Sequence, residues 1–345
     1  MSVMKFLKDK QTRHDFVTYA MCIVAFAIVF FMQSNHMIPR MIAGQLVPIT
    51  AYIVMAISLN LVVGIAGDLS LGHAGFMSVG AYSAALFTMH AGLPISVAFP
   101  LGLIFGGLVA AIFGVIIGVP ALRLRGDYLA IITLGFGEII RVLVLAVDFT
   151  GGAAGLTGIP YIEGKYTLII YTFFIAFLTV VAILAFIRSR HGRAVIAIRE
   201  DEIAAEASGI NPTYYKLLAF VVAAFFAGVA GGIYAHYIGV LDPSKFDFNY
   251  SVEILIMVVL GGMGSITGSV CSATVLTLLP EMLRSFADKR MLIYSLVLII
   301  VMLFKPTGLL GTREFSVRKI VGKLFKEKKK DTGTPPAGGA PGKEA

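Results

Sequence analysis

The sequence predicts an all-α integral membrane protein with about ten transmembrane helices. Hydrophobic residues make up 58% of the chain and charged residues only 14%, whereas about a quarter of the residues in a soluble domain are charged. The mean hydropathy is +0.88. The apolar runs are too many and too long for the core of a soluble protein, because one helical span takes about 20 residues. Membrane lipid is therefore the expected surroundings of most of the chain.

Apolar runs follow one another along the chain after a short polar and basic stretch. The run at 73–90 is rich in Gly, Ala and Ser, so we expect it to be short, broken or tightly packed. The apolar runs lie at roughly 16–32, 43–65, 73–90, 95–119, 128–147, 166–187, 214–238, 252–281 and 291–304.

The run at 252–281 contains the hexapeptide Leu260 to Ser265, which carries three glycines. Glycine breaks helices, and broken backbone at membrane depth requires protein or a cavity to satisfy its polar groups. Basic residues mark cytoplasmic loops. Dividing this run into two spans or half-spans places the basic C-terminal tail in the cytoplasm together with the N-terminus.

Three regions follow from this pattern: a cytoplasmic N-terminus at 1–15, a transmembrane domain at 16–310 and a basic tail at 311–345. The tail is rich in Lys, Gly, Pro and Ala and is expected to be disordered. The basic residues cluster outside the apolar runs, so they set orientation and do not indicate nucleic-acid binding. The sequence contains no P-loop. The histidines are scattered and there are only two cysteines, so the sequence predicts no metal site, no cofactor and no catalytic residues.

The longest polar segment between two apolar runs is the loop at 188–213, which contains GRAVIAIREDEIAAEASGIN. Read as a single helix, this stretch places Arg199, Glu202 and Glu206 on one polar stripe beside an apolar stripe. Gly209 fits the end of that helix. Two interpretations remain open: the helix docks on a partner protein, or it is a solvated connection between two spans.

Glu138 and Arg141 lie within the apolar run at 128–147 and share one helix face. Isolated charges in a bilayer are costly, so we expect the two side chains to pair with each other or to face the interior of the bundle. A structural ion pair is one interpretation, and a role in gating or substrate contact is the other.

Two glycine-rich stretches are candidates for broken backbone along a transport path. Broken helices offer free N–H and C=O groups that can bind the charged ends of a substrate. The alternative is close helix packing through small residues, with His73 a structural histidine. The candidate path residues are Ser70, Gly72, His73, Gly75, Gly261, Gly262, Gly264 and Ser265.

Several motifs in order along the chain resemble the permeases of branched-chain amino acid ABC importers, the LivHM permease family, and in particular its LivM type. Each motif is weak by itself, but the ordered set is specific and covers about 40–310. The motifs are GDLSLGHAGF at 67–76 with GAY at 80–82, LRLRGDYLAI at 122–131 with TLGFGE at 133–138, TGG, GL and GIP within 150–160, the stretch at 192–211 with AGVAG at 227–231, and GGMGS at 261–265.

This resemblance implies a permease of the type II ABC importer kind in a bacterial inner membrane. Its partners would be a sister permease, two cytoplasmic ABC ATPases and a periplasmic substrate-binding protein. The loop at 188–213 would then dock on an ATPase, with Arg199, Glu202, Glu206 and Gly209 as coupling residues. The implied substrates are leucine, isoleucine and valine. The alternatives are a urea or short-chain amide permease and, from another class, an ion-coupled secondary amino acid transporter.

Overall fold

A computed structural model describes most of the predicted transmembrane domain. The predicted N-terminal stretch 1–15, the tail 311–345 and almost all of the predicted first span 16–32 lie outside the described residues. Those described are 39–124, 126–162, 167–283 and 289–305, with Phe26, Phe31, Gln33, Asn35 and Gly308.

The described part of the chain is helical, as predicted, and its only extended pairing is a single bridge between Leu156 and Leu241. Each of these two residues donates its backbone N–H to the carbonyl of the other at 2.9 Å. The bridge joins the connection between α4 and α5 to the connection between α8 and α9. The helices are α1 (Arg40–Asn60), α2 (His73–His90), α3 (Ile95–Ala121), α4 (Asp127–Ala146), α5 (Thr167–Arg188), α6 (Arg190–Glu200), α7 (Glu202–Ala207), α8 (Pro212–Ile238), α9 (Phe248–Gly261), α10 (Ile266–Met282) and α11 (Arg290–Phe304).

Five segments of the described residues are long and apolar enough to cross a membrane. The first joins α1 to a π-helix at Leu61–Ala66 that continues it without interruption. The shorter helices α9 and α10 are also apolar. The five segments are Met41–Ala66, Ile95–Ala121, Asp127–Ala146, Thr167–Arg188 and Pro212–Ile238.

Helix α8 packs against α2 and α3 through glycines, which allow close approach of helix backbones in membranes. A Cβ atom at Gly80 of α2 would lie less than 3.0 Å from the backbone of Gly228 in α8, and one at Gly231 would meet the backbone of Met77 as closely. Helix α1 packs against α5, α8, α9 and α10. The small residues of the predicted motifs therefore form the contacts between helices at the centre of the bundle.

The predicted division of 252–281 lies where the three glycines occur. Helix α9 ends at Gly261 and α10 begins at Ile266. Gly262 (φ +110°) and Gly264 (φ +88°) adopt backbone conformations that L side chains rarely take. The Ser265 hydroxyl accepts a hydrogen bond from the N–H of Gly268 at 3.1 Å and so caps α10.

Candidate functional site

The coupling segment predicted within the loop at 188–213 consists of two helices, α6 and α7, where the sequence predicts one. Helix α6 ends at Glu200 and α7 begins at Glu202, because Asp201 adopts an extended conformation (φ −156°, ψ 106°). The Asp201 carboxylate accepts a hydrogen bond from the N–H of Ala204 at 3.0 Å. A short acidic side chain that caps a new helix interrupts the old one, so the predicted continuous polar stripe is bent at this residue.

Polar side chains cap the helices at both ends of the segment. The Ser189 hydroxyl accepts from Gly192 N at 3.2 Å at the start of α6, and Asn211 Oδ1 accepts from Tyr214 N at 3.1 Å at the start of α8. Gly209 lies between them with φ +84°. A Cβ atom added at Gly209 would have none of the described atoms within 4 Å. Glycine is therefore favoured at this position by the backbone conformation and not by lack of space.

Arg199 points into the permease. Its Nη1 donates to the carbonyl oxygen of Gly64 at 2.8 Å, and its Nε and Nη2 donate to Oε1 of Glu200. Its aliphatic stem covers Gly67, where an added Cβ would lie 2.8 Å from Arg199 Cγ. The predicted coupling segment is therefore fastened to the C-terminal end of the first described span.

A second connection reaches the same end of that span through Lys216 in α8. The Lys216 ammonium lies 3.2 Å from Oδ1 of Asp68 and 3.5 Å from Oε2 of Glu202. Burial raises the pKa of the Asp68 carboxyl, and the adjacent Lys216 opposes that rise. Glu202 is thus part of a partly buried charge group, whereas Glu206, on the same helix α7, is exposed.

Asn60 is a functional candidate that the motif analysis did not single out. The side chain is 1% exposed, and its Nδ2 donates to Ser265 O and to Ser269 Oγ, both at 2.9 Å. Its Oδ1 accepts from the backbone N–H of Gly264 at 2.8 Å. Asn60 therefore binds the glycine-rich break, although Gly264 is 204 residues away in sequence. The sequence feature that could have identified Asn60 is a polar amide side chain inside a long apolar run.

The candidate path residues lie in two places. Ser70, Gly72, His73 and Gly75 surround the start of α2. The His73 ring Nε2 is 2.8 Å from Ser58 Oγ, and Gly72 and Gly75 pack against the backbone of α4. Among the described residues the buried Ser70 hydroxyl finds no hydrogen-bond partner. Gly261, Gly262, Gly264 and Ser265 form the break between α9 and α10.

Helices α2 and α9 both begin inside the thickness of the bundle. Phe76 of α2 packs on Phe220, with ring centroids 5.4 Å apart, and Phe220 lies about 12 Å along α8 from Pro212. Tyr250 of α9 packs on Tyr52 at 5.8 Å, about 18 Å along α1 from its first residue. The N–H of Ala74 donates to Ser251 Oγ at 3.2 Å, so the two N-terminal ends meet.

A small cleft lies where these N-terminal ends face α4. The cleft has a volume of about 170 Å³, which includes space open to the surroundings. Glu138 lines the cleft and accepts hydrogen bonds from Arg141 Nε and Nη2, both at 2.7 Å. The predicted pairing of these two charges is present. The other lining residues are Leu71, Gly75, Leu134, Gly137, Phe246, Asp247, Phe248 and Ser251.

Five membrane-length apolar segments and the glycine-rich break between α9 and α10 define, for the described residues, a polytopic helical membrane protein. Residues 41–305 match the family described as "Branched-chain amino acid transport system / permease component". The chain belongs to this family, which confirms the resemblance noted in the sequence.

Several relatives are named as permease proteins of branched-chain amino acid transport systems. The high-affinity branched-chain amino acid transport system permease protein LivM of Salmonella typhimurium is 40% identical over 290 residues, covering 75% of this chain and 67% of the relative. LivM of Escherichia coli is 39% identical over the same extent. The permease protein LivH of E. coli is 34% identical over 143 residues, covering 41% of this chain and 46% of LivH. No solved structure gives a significant match.

Proposed function

We propose that this chain is a membrane permease subunit of an ABC importer and forms the translocation path for leucine, isoleucine and valine. Its partners are a sister permease, two cytoplasmic ABC ATPases and a periplasmic substrate-binding protein. The chain itself has no catalytic role, because the ATPases hydrolyse ATP. Family membership over residues 41–305 is the observation that carries this proposal.

Helix α7, within the loop at 188–213, supports the assignment of an ATPase-docking surface. Ile203 on α7 is 78% exposed, which makes it the most exposed large apolar side chain among the described residues. It lies beside the exposed Glu206. An apolar side chain with a neighbouring carboxylate on a short, capped helix suits a cleft in a partner protein, so α7 is the proposed contact and Gly209 the hinge that ends it.

The substrate path is proposed to pass the cleft between α2, α4 and α9. An aliphatic amino acid is a zwitterion with an apolar side chain, and the N-terminal ends of half-helices favour its carboxylate. The full subunit is proposed to have about ten spans in the type II arrangement, both termini in the cytoplasm and a location in the bacterial inner membrane. The alternation of the described spans with basic loops supports this topology.

Affinity purification of the tagged chain from native membranes, with identification of the bound proteins by mass spectrometry, tests the proposal. We expect two P-loop ATPases and a second permease to be recovered. Binding of radiolabelled leucine or urea to the substrate-binding protein of the same importer then separates the amino acid and amide hypotheses. Recovery of the chain alone, with uptake by the purified chain in liposomes without ATP, would instead establish a secondary transporter.

A further inference from the structure

The end of the first span has an unusual helical winding. Residues Leu61–Ala66 form a π-helix, and all six are buried. Gly67 follows in a left-handed conformation (φ +78°), and the N–H of Asp68 returns to Val62 O at 3.1 Å. π-Helical turns are rare and are frequently found at functional sites.

Two side chains contact this π-helix, and both also lie close to Gly264. From the coupling segment, Arg199 donates to the carbonyl of Gly64. From the residue just before the π-helix, Asn60 binds Gly264 and Ser265 of the glycine-rich break. The coupling segment and the break are therefore both fastened to the same turn of helix.

The contact between the π-helix and the break has no free space. A Cβ atom at Gly64 would lie less than 3.0 Å from the backbone nitrogen and Cα of Gly264 and from Oδ1 of Asn60. Closely packed groups transmit displacement, because packed interfaces are not continuously deformable. A shift of Gly64 therefore displaces Gly264.

We propose that Arg199 and Asn60 form a relay that carries motion of the coupling segment to the break between α9 and α10. This inference rests on the proposed ABC importer function. Arg199 acts as a positioning residue inside the permease and does not itself contact the ATPase. Its side chain is 34% exposed, and its donors are directed at Gly64 and Glu200.

Arginine suits this position because its planar guanidinium donates in two directions at once. One edge binds the Gly64 carbonyl and the other binds the Glu200 carboxylate. A lysine at the same position would keep the aliphatic stem over Gly67 and one donor for the carbonyl. Arg199→Lys is therefore expected to retain part of the function that Arg199→Ala loses.

The test uses the complete importer reconstituted in liposomes with its binding protein, and it measures substrate taken up per ATP hydrolysed. Arg199→Ala is expected to lower this ratio about tenfold, within the usual range of coupling between sites. Asn60→Ala, which lies outside the coupling segment, is expected to lower it similarly. The two residues act in series. The double variant should therefore have about the same uptake per ATP as the single variant with the lower ratio. Independent sites would instead show the sum of the two losses.

Arg193 provides a matched control on the same helix. It donates to the carbonyl of Arg188 at 2.6 Å, a bond that stays at the junction of α5 and α6. Arg193→Ala should leave the uptake ratio unchanged, and the KM for ATP should be unchanged in all the variants.

Wild-type coupling in either Arg199→Ala or Asn60→Ala would overturn the relay. If Arg199→Ala does not assemble, Asn60→Ala alone decides the question. Failure of the importer proposal itself would appear differently, because the wild-type complex would then show no ATP-driven uptake.

Discussion

Helices α1 and α4 are both apolar and long enough to span a membrane, yet they occupy opposite environments. In the first span, which contains α1, 94% of the most apolar 18-residue stretch is buried inside the protein. In α4 the buried share of the corresponding stretch is 28%. The buried span carries uncharged polar residues, Thr50, Ser58 and Asn60, each of which is hydrogen-bonded. The peripheral α4 carries Glu138 and Arg141, which pair with each other. The kind of polar residue, more than hydrophobicity, distinguishes the central helix from the peripheral one.

The largest contrast is expected between glycines at the centre and at the periphery. Gly228→Leu would force a side chain into the contact of α8 with Ala110 and the backbone of Gly106, and it is expected to cost more than about 4 kcal/mol. No monodisperse protein should then survive detergent extraction. Gly135→Leu on α4, where no described atom would lie within 4 Å of the new Cβ, should leave the thermal midpoint nearly unchanged. Equal losses for both variants would remove the distinction.

A smaller contrast is expected between the two faces of α3. Leu103 is 3% exposed and packs against Gly232, whereas Leu108 is 52% exposed. Leu103→Ala should destabilise the protein by about 3 kcal/mol through the cavity it leaves, as measured by thermal unfolding in detergent. Leu108→Ala should change stability by less than about 0.5 kcal/mol. A large effect of Leu108→Ala would indicate that a partner protein covers this face.

The ion pair on α4 sharpens the comparison further. Glu138→Gln leaves Arg141 without its carboxylate partner. We expect it to lower the free energy of unfolding by about 2 kcal/mol, somewhat less than the cost of placing an unpaired charge at the bilayer centre. The double variant Glu138→Gln/Arg141→Gln should recover most of that loss. Thermal unfolding of the two variants in lipid nanodiscs measures both values. No loss in the single variant would mean that water reaches this face of α4.

The smallest effect on stability is expected on α7. Ile203→Ser and Glu206→Ala alter exposed side chains, so unfolding should shift by less than about 0.5 kcal/mol. Capture of the ATPases in the purification described above should nevertheless fall several-fold, because a few exposed residues dominate most protein interfaces. Retention of the ATPases at wild-type levels would exclude α7 as their docking surface.

The sequence was sufficient to predict the position of most described spans, because length and hydrophobicity determine them. The predicted run at 73–90 coincides with α2. The predicted division of 252–281 lies at the three glycines of the hexapeptide Leu260 to Ser265. The break of the coupling segment at Asp201 was not predicted, since capping competes with the continuous helical pattern. The π-helix and the partners of Asn60 depend on a register between distant parts of the chain, which periodicity within one segment does not contain.

The π-helix at Leu61–Ala66 has a geometric consequence for the chain that follows it. A π turn holds one more residue than the α-helical ladder needs. If that turn reverted to α-helical winding, the segment beyond it would rotate by about 100° and advance by about 1.5 Å. Gly67 and Asp68 would then face different neighbours although no helix had moved far. A reversible change of register at one turn thus converts a small axial displacement into a large rotation of the loop that leads into α2.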